Sequence, residues 1–170
     1  HDPLTGLANR RSLQEHLTTL IAGPVAARLA MCFVDLDGFK GVNDAYGHRA
    51  GDHVIREVSA RLQRELEPGM LLARTGGDEF VIVAVVADGA AAEALAERLR
   101  MAVQPELDWP GDAVSVTSSV GVALMSAGDL DADGDELLRR ADIALHAAKG
   151  RGRNRVEVFD DDLAEATEHR

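Results

Sequence analysis

The stretch MLLARTGGDEFVIVAVV, residues 70–86, limits the possible folds of this 170-residue chain more than any other. Two apolar segments of strand length are separated by Gly76-Gly77-Asp78-Glu79, and this pattern is typical of a β-hairpin. The glycines permit positive φ angles and a close approach of the backbone to a ligand. The sequence therefore predicts an antiparallel strand pair with two carboxylates at its tip.

The rest of the chain alternates between helical and strand periodicity. In chain order we predict a helix over 9–22, a strand over 28–37, a short and a long helix within 38–69, the two hairpin strands, a helix over 90–104, a strand over 113–124, a helix over 135–150 and a short strand over 155–159. An α+β fold fits this order best, with an antiparallel-rich central sheet and flanking helices of the ferredoxin-like or polymerase-palm kind. Residues 1–160 are then one domain, and residues 161–170 are a polar carboxy-terminal tail.

Charge and composition exclude several classes of protein. The net charge of -11 argues against binding to the phosphate backbone of nucleic acids. No apolar run has the length of a membrane span, so we expect a cytoplasmic protein that makes no membrane contact. The single cysteine, Cys32, excludes an internal disulfide and lies in an apolar segment, where we expect a buried thiol. Because the chain starts without methionine, we expect an excised domain whose upstream regulatory or sensor domain is missing.

Three carboxylates are candidates for a metal site. If the strand that ends with FVDLD lies beside the hairpin, Asp35 comes close to Asp78 and Glu79. Carboxylates gathered at one point repel each other unless a cation lies among them, and oxygen ligands without cysteine or histidine suit Mg²⁺ or Mn²⁺. The alternative is that Asp78 and Glu79 are solvated turn residues. Asp37 is a further candidate ligand, but we favour it as the N-cap of the following helix.

The segment that follows this strand has features of a nucleotide site. Free N–H groups at the turn after Gly38 can hold phosphates, and Lys40 adds a positive charge. Farther on, the amide of Asn43 and the carboxylate of Asp52 match the donor and acceptor edge of guanine, with His48 between them. The alternative for these three residues is ordinary helix capping.

A basic cluster follows the helix at 135–150. Cations are expected at a helix C-terminus because of the helix dipole, so the cluster alone does not indicate a ligand. Its members are Lys149, Arg151, Arg153 and Arg155.

Five stretches, in this order and spacing, closely resemble the GGDEF domain family of diguanylate cyclases: DPLTGLANRR, DLDGFKGVNDAYGHRAGD, ARTGGDEF, SSVGVA and ADIALHAAKGRGRNRV. The resemblance covers about residues 2–159. It implies a palm-like fold similar to that of nucleotidyl cyclases. It also implies a reaction that joins two GTP molecules into cyclic di-GMP and two pyrophosphates. The resemblance further implies that each domain holds one GTP, so that a homodimer is needed for catalysis.

The resemblance also implies a role for each matching residue. Asp35 and Asp78 would bind two Mg²⁺ (or Mn²⁺) ions with help from the carbonyl of Leu36, and Glu79 would lie close to the metal and the triphosphate. Two metal ions lower the pKa of the 3′-hydroxyl and neutralise the charge of the departing pyrophosphate. Asp78 also matches the family's proton-acceptor position. For the substrate, the resemblance implies guanine contacts by Asn43 and Asp52 and a further contact by His48. It also implies that the phosphates are contacted by Lys40, Lys149 and Arg153. Of these three cations, Lys40 is predicted to be a catalytic residue.

One stretch departs from the family pattern. The family's product-inhibition motif is Arg-x-x-Asp just upstream of the glycines, and Glu67 and Met70 stand at these two positions here. We therefore expect weak or absent product inhibition through this site. Arg61 and Arg64 lie nearby and are the candidates to replace the missing arginine.

Two other functions stay open at this point. One is a GTP-binding regulatory GGDEF module without turnover, and the intact carboxylates together with Lys149 argue against it. The other is a receiver-like phosphorylated switch built on Asp35 and Asp37. The chain lacks the alternation of five parallel strands and helices that a receiver needs.

Overall fold

A computed structural model describes residues 1–24, 28–125 and 133–168. In chain order they form α1 (Arg10–Ile21), β1 (Leu29–Asp37), α2 (Phe39–Tyr46), α3 (His48–Arg64), β2 (Leu71–Arg74), β3 (Glu79–Val85), α4 (Gly89–Val103), β4 (Leu107–Trp109), β5 (Asp112–Val114), β6 (Thr117–Leu124), α5 (Gly134–Gly150), β7 (Val156–Val158) and α6 (Asp161–Glu168).

Five of these strands form the central sheet, in the order β2-β3-β1-β6-β7. Strand β7 runs parallel to β6, while β1 is antiparallel to both of its neighbours and β2 is antiparallel to β3. The predicted α+β class, with a mostly antiparallel central sheet and flanking helices, is therefore confirmed. Within the described residues, no helix is long and apolar enough to cross a membrane.

The central strand β1 is buried on both faces. Cys32 and Val34 pack with the apolar residues of α3 and α4, whereas Met31 and Phe33 pack with those of α1 and α5. The predicted burial of the Cys32 thiol is confirmed, and burial raises its pKa to about 12. Because it is held from both faces, β1 carries its terminal residues to a fixed place at one edge of the sheet.

Several chain segments meet at this edge. Asp35 pairs with Glu79 at the start of β3, and Asp37 pairs with Thr117 at the start of β6. Helix α2 begins two residues after β1, and the short loop from α5 to β7 arrives beside the start of β6. Residues that lie far apart in the sequence are therefore close together at this edge.

A glycine of the SSVGVA segment sets the distance between α5 and the sheet. A Cβ atom at Gly121 would lie 2.2 Å from the carbonyl oxygen of Ala141 and 2.3 Å from the backbone nitrogen of Leu145. Real Cβ atoms do not come this close to backbone atoms, so only glycine allows α5 to lie here. This close contact fixes the position of α5, the helix that places Lys149 at the edge of the sheet.

Two segments differ from the sequence prediction. The strand predicted over 113–124 is two strands, and its first part pairs with β4 around Gly111, whose φ is 85°. The segment predicted as a polar tail contains helix α6, because the carboxylate of Asp160 accepts from the N–H of Leu163 and the Leu163 side chain is buried. The division of the chain at residue 160 stays a prediction.

Candidate active site

The β2–β3 hairpin is bonded to the end of β1. The N–H of Thr75 donates to the carbonyl of Glu79 at 3.1 Å and closes the hairpin, and the N–H of Leu36 donates to the carbonyl of Asp78 at 3.1 Å. The predicted hairpin is confirmed, but positive φ angles were wrongly predicted, because neither Gly76 nor Gly77 has one. The close approach of this backbone to a ligand stays a prediction. At Gly76 a Cβ atom would lie 2.8 Å from a carboxylate oxygen of Glu79, so glycine makes room for that side chain.

Arg74 fastens the hairpin tip to the amino-terminal segment. Its guanidinium donates to the carbonyl of Gly77 at 2.8 and 3.2 Å and to both carboxylate oxygens of Asp2 at 3.1 and 3.2 Å. Asp2 in turn accepts from the N–H and the hydroxyl of Thr5. We did not predict a role for Arg74 from the sequence, although its position directly before Thr75-Gly76-Gly77 indicated that it could contact the hairpin tip.

The carboxylate of Asp35 lies at the centre of the site and is only 6% exposed. One oxygen, Oδ2, forms an ion pair with the ammonium of Lys149. The other, Oδ1, is buried and has no hydrogen-bond partner among the described residues. A buried carboxylate oxygen without a donor is unfavourable, so a further positive ligand would stabilise it.

The neighbouring carboxylates also favour a positive charge at this place. Burial, and then the negative charge of Asp35, raises the pKa of the Asp78 carboxyl to about 6. Burial, followed by the charge of Asp35, also raises the pKa of Glu79, while Lys149 acts in the opposite direction. Like charges gathered in a half-buried place shift acid pKa values upward in this way.

The residues present therefore fit a hard divalent cation. A bound cation would supply the partner that Asp35 Oδ1 lacks and would favour the ionised form of Asp78. Within the described ranges, however, no three His, Cys, Asp or Glu side chains stand together at metal-binding spacing. Of the four predicted metal ligands, Asp35 and Asp78 lie close enough for the charge of one to shift the pKa of the other. Glu79 pairs with Asp35 on the adjacent strand, and the backbone N–H of Leu36 donates to the carbonyl of Asp78.

The predicted phosphate ligands belong to three different segments, and one of them, Lys149, contacts the carboxylate group. Lys40 is exposed on the first turn of α2, whose N-cap is Gly38 with φ 75° and no side-chain cap. Lys149 is on the last turn of α5 and is held by Asp35. Arg153 is exposed in the loop between α5 and β7, with φ 62°.

The predicted guanine ligands form a separate group on α2 and α3. A Cβ atom at Gly51 would lie 1.9 Å from the side-chain oxygen of Asn43, so glycine lets this amide lie against α3. Asp52 and His48 are exposed on the first two turns of α3, and their side chains face solvent. The capping alternative is wrong, because α3 begins at His48 and its N-cap is Gly47.

Asp37 is not the N-cap that we predicted. Gly38 occupies that position, and the Asp37 carboxylate accepts instead from the hydroxyls of Thr117 and Ser119, each at 2.7 Å, and from the N–H of Asn154 at 3.0 Å. The physical reason is the strand pairing, which places the two β6 hydroxyls next to β1. No local pattern predicts the bond between Asp37 and Asn154, because the two residues are 117 positions apart.

The sequence profile described as "Diguanylate cyclase, GGDEF domain" matches residues 1–155. The chain belongs to the GGDEF domain family. Across 100% of its own length and 27% of the relative's, this GGDEF domain is 42% identical to an uncharacterised protein of Mycobacterium tuberculosis. Across 92% of its length and 23% of the relative's, it is 37% identical to diguanylate cyclase DgcP of Pseudomonas aeruginosa. The chain thus spans about a quarter of the length of these curated relatives.

A solved structure shows the same fold. The GGDEF domain resembles a truncated TpbB (also called YfiN) of Pseudomonas aeruginosa that comprises only the GGDEF domain, with a TM-score of 0.91, 32% identity and coverage of 99% of both chains. The resemblance to the family that the five stretches indicated is therefore confirmed. The roles of the individual site residues stay predictions.

Proposed function

We propose that this GGDEF domain is a diguanylate cyclase, which joins two GTP molecules into cyclic di-GMP and releases two pyrophosphates. The observation that carries the proposal is the pair Asp35 and Asp78, with an unpartnered buried oxygen on one and a pKa of about 6 on the other. Perturbed carboxylates of this kind cluster at catalytic sites. The family description and the name of the relative DgcP support the same activity.

The proposed reaction needs two domains that face each other, each holding one GTP. The 3′-oxygen of one GTP attacks the α-phosphorus of the other, and the bond from this phosphorus to the bridging oxygen breaks, so that pyrophosphate leaves. Two Mg²⁺ or Mn²⁺ ions held by Asp35, Asp78, Glu79 and the Leu36 carbonyl would lower the pKa of the hydroxyl and neutralise the leaving group.

The chain's own residues divide the remaining work. Asp78 matches the family's proton-acceptor position and is the acceptor for the hydroxyl proton in this proposal. Lys40, Lys149 and Arg153 bind the triphosphate and offset its charge. Lys149 also has a second role, because its ion pair with Asp35 ties α5 to the carboxylate edge.

Asn43 and Asp52 give the site its preference for guanine. A carboxylate accepts from the N–H groups of the guanine edge and an amide donates to its carbonyl, and adenine presents neither arrangement. A site built to hydrogen-bond one base rejects the other, because its polar groups would be left unpaired. His48, at the start of α3, adds a further substrate contact in this proposal.

The test is incubation with GTP and Mg²⁺ or Mn²⁺, followed by chromatography of the nucleotides. We expect cyclic di-GMP and pyrophosphate from the wild type and a loss of at least about 100-fold in Asp78→Asn, which removes charge from the metal site. Asp161→Asn, an exposed carboxylate on α6, is the matched control. Wild-type turnover by Asp78→Asn would contradict the metal assignment.

Two further outcomes separate the alternatives. GTP binding without product would favour a regulatory module without turnover. Calorimetric titration with ATP tests the base assignment, and equal affinities for ATP and GTP would contradict the roles of Asn43 and Asp52. The predictions of a cytoplasmic location and of an upstream regulatory domain stay predictions.

A further inference from the structure

The loop between α5 and β7, residues 151–155, has an unusual backbone. Gly152, Arg153 and Asn154 follow one another with φ angles of 120°, 62° and 47°. Two successive residues with side chains in the left-handed region are uncommon. Asparagine tolerates this conformation, whereas arginine is strained there by about 1 kcal/mol or more. Such a conformation persists only where the surrounding contacts hold it.

Asn154 receives these contacts from two sides. Its N–H donates to Asp37 at the end of β1, at 3.0 Å. Its side-chain oxygen accepts from Arg100 at 2.7 Å and from Gln104 at 3.0 Å, both at the end of α4. One residue thus joins the loop to the central strand and to a helix on the opposite face from α5.

Arg153 is adjacent to this anchored residue. Its own N–H donates to the carbonyl of Ala148 at 3.0 Å, which ties the loop to the last turn of α5 beside Lys149. Its side chain is exposed, and the next residue, Asn154, is bonded to Asp37 at the end of the strand that carries Asp35. The backbone around Arg153 is therefore fixed on both sides, while its side chain is exposed to solvent.

Both carboxylate oxygens of Asp37 accept hydrogen bonds from the protein. The hydroxyl of Ser119 donates to Oδ1, and the hydroxyl of Thr117 and the N–H of Asn154 donate to Oδ2. Hydrogen bonds to an ionised carboxylate are stronger than neutral ones. A carboxylate used in this way holds the loop against the end of β1.

We propose that Asp37 is a positioning residue, which acts through Asn154 to hold the 151–155 loop so that Arg153 meets the triphosphate. The inference rests on the proposed function, because it assumes that GTP is the ligand of this edge. It predicts that loss of Asp37 weakens nucleotide binding only through Arg153. It also predicts that the dependence on the divalent cation stays unchanged.

A double-mutant cycle on nucleotide affinity tests the first prediction. The probe is 3′-deoxy-GTP, which lacks the attacking hydroxyl, titrated calorimetrically with saturating Mg²⁺. We expect Arg153→Ala to weaken binding about tenfold and Asp37→Asn about three- to tenfold, while the double variant is no weaker than Arg153→Ala within about twofold. Additive losses would overturn the proposal.

Hydrogen exchange at the Asn154 amide supplies a readout that does not depend on GTP. We expect exchange at this amide to be faster in Asp37→Asn, with Asp161→Asn as the unaffected control. If Asp37→Asn does not fold, Asn154→Gly takes its place, since glycine tolerates the positive φ but removes the contacts to Arg100 and Gln104. This variant should also weaken binding, and the loss should again depend on Arg153.

The Mn²⁺ requirement separates positioning from metal binding. We expect the Mn²⁺ concentration for half-maximal turnover to be unchanged within about twofold in Asp37→Asn, while KM for GTP rises. A large increase in the Mn²⁺ requirement would show that Asp37 is a ligand and would overturn the proposal.

These outcomes also distinguish this proposal from the cyclase assignment. A wild type that binds 3′-deoxy-GTP but makes no product would contradict only the cyclase. A wild type that binds the probe while Asp37→Asn binds it equally well would contradict only the role of Asp37. A wild type that does not bind the probe would contradict both.

Discussion

Asp78 links the stability of the metal-free domain to pH. In the folded protein, burial and then the charge of Asp35 raise the pKa of its carboxyl from 3.8 to about 6. Between these values the folded state keeps a proton that the unfolded state releases, so the contribution to stability is present below about pH 4 and is lost as the pH rises to about 6. We expect Asp78→Asn to remove this part of the pH dependence.

The measurement is the free energy of unfolding in urea across this pH range, without divalent cations, for the wild type and for Asp78→Asn. The difference between the two proteins isolates this carboxyl from the other titrating groups. Parallel pH curves would show that Asp78 titrates normally.

A divalent cation should expel the proton from Asp78. Because a cation favours the ionised carboxylate, binding of Mg²⁺ at about pH 6 should release more protons than binding at about pH 8. Calorimetry in two buffers with different ionisation enthalpies counts these protons. Asp78→Asn should bind Mg²⁺ more weakly, and an unchanged proton release in this variant would place the metal elsewhere.

At the residue scale, sequence patterns predicted the charged side chains of the site, but not the residues whose hydrogen bonds position the hairpin and the loops around it. Asp35 and Asp78 were predicted to meet, because a strand that ends in acids beside a hairpin brings them together. Arg74, Asp37 and Asn154 were missed or misassigned. Arg74 binds Asp2 across 72 positions and Asp37 binds Asn154 across 117, and no local pattern shows contacts of this length.

At the scale of elements, the close contact of α5 with β6 depends on the absence of a side chain at Gly121. In Gly121→Ala the new Cβ would meet the backbone of Ala141 and Leu145, so we expect α5 to move and the domain to lose about 2 kcal/mol or more. Urea denaturation measures this loss.

Gly150→Ala is the matched control for this substitution, because nothing lies within 4 Å of a Cβ atom at that position. We expect the control to be neutral or slightly stabilising. If both variants lose the same stability, the close approach of α5 is not the cause.

Long elements with regular periodicity were predicted well, and short ones were not. The helix predicted over 9–22 is Arg10–Ile21, with Asn9 as its N-cap. In contrast, β4 and β5 have three residues each, which is too few for a periodic pattern. Helix α6 forms against the rest of the domain through Leu163, and local composition does not show such packing.

At the scale of the whole molecule, feedback by the product is expected to be weak. Glu67 and Met70 occupy the two motif positions, and they close a tight turn in which the N–H of Met70 donates to the carbonyl of Glu67 at 3.1 Å. Arg61 is not available as a replacement, because its guanidinium donates to the carbonyls of Val103, Pro105 and Glu106. Arg64 is exposed, and its 3.9 Å contact with Glu57 does not hold it.

Initial rates with added cyclic di-GMP test this expectation. We expect the wild type to keep its rate at low micromolar product, and the double variant Glu67→Arg/Met70→Asp to become inhibited. Strong non-competitive inhibition of the wild type, lost in Arg64→Ala, would show that other residues had rebuilt the site.

The contacts at the edge that carries the carboxylates join distant parts of the chain, and this determines when the site can form during synthesis. Its ion pair between Asp35 and Lys149 spans 114 positions, and the bond between Asp37 and Asn154 spans 117. Contacts of such separation form late, because the chain must first be closed over a long loop. A nascent chain can therefore complete the hairpin long before α5 leaves the ribosome, and it holds the acids without the lysine until the last part of the domain is made.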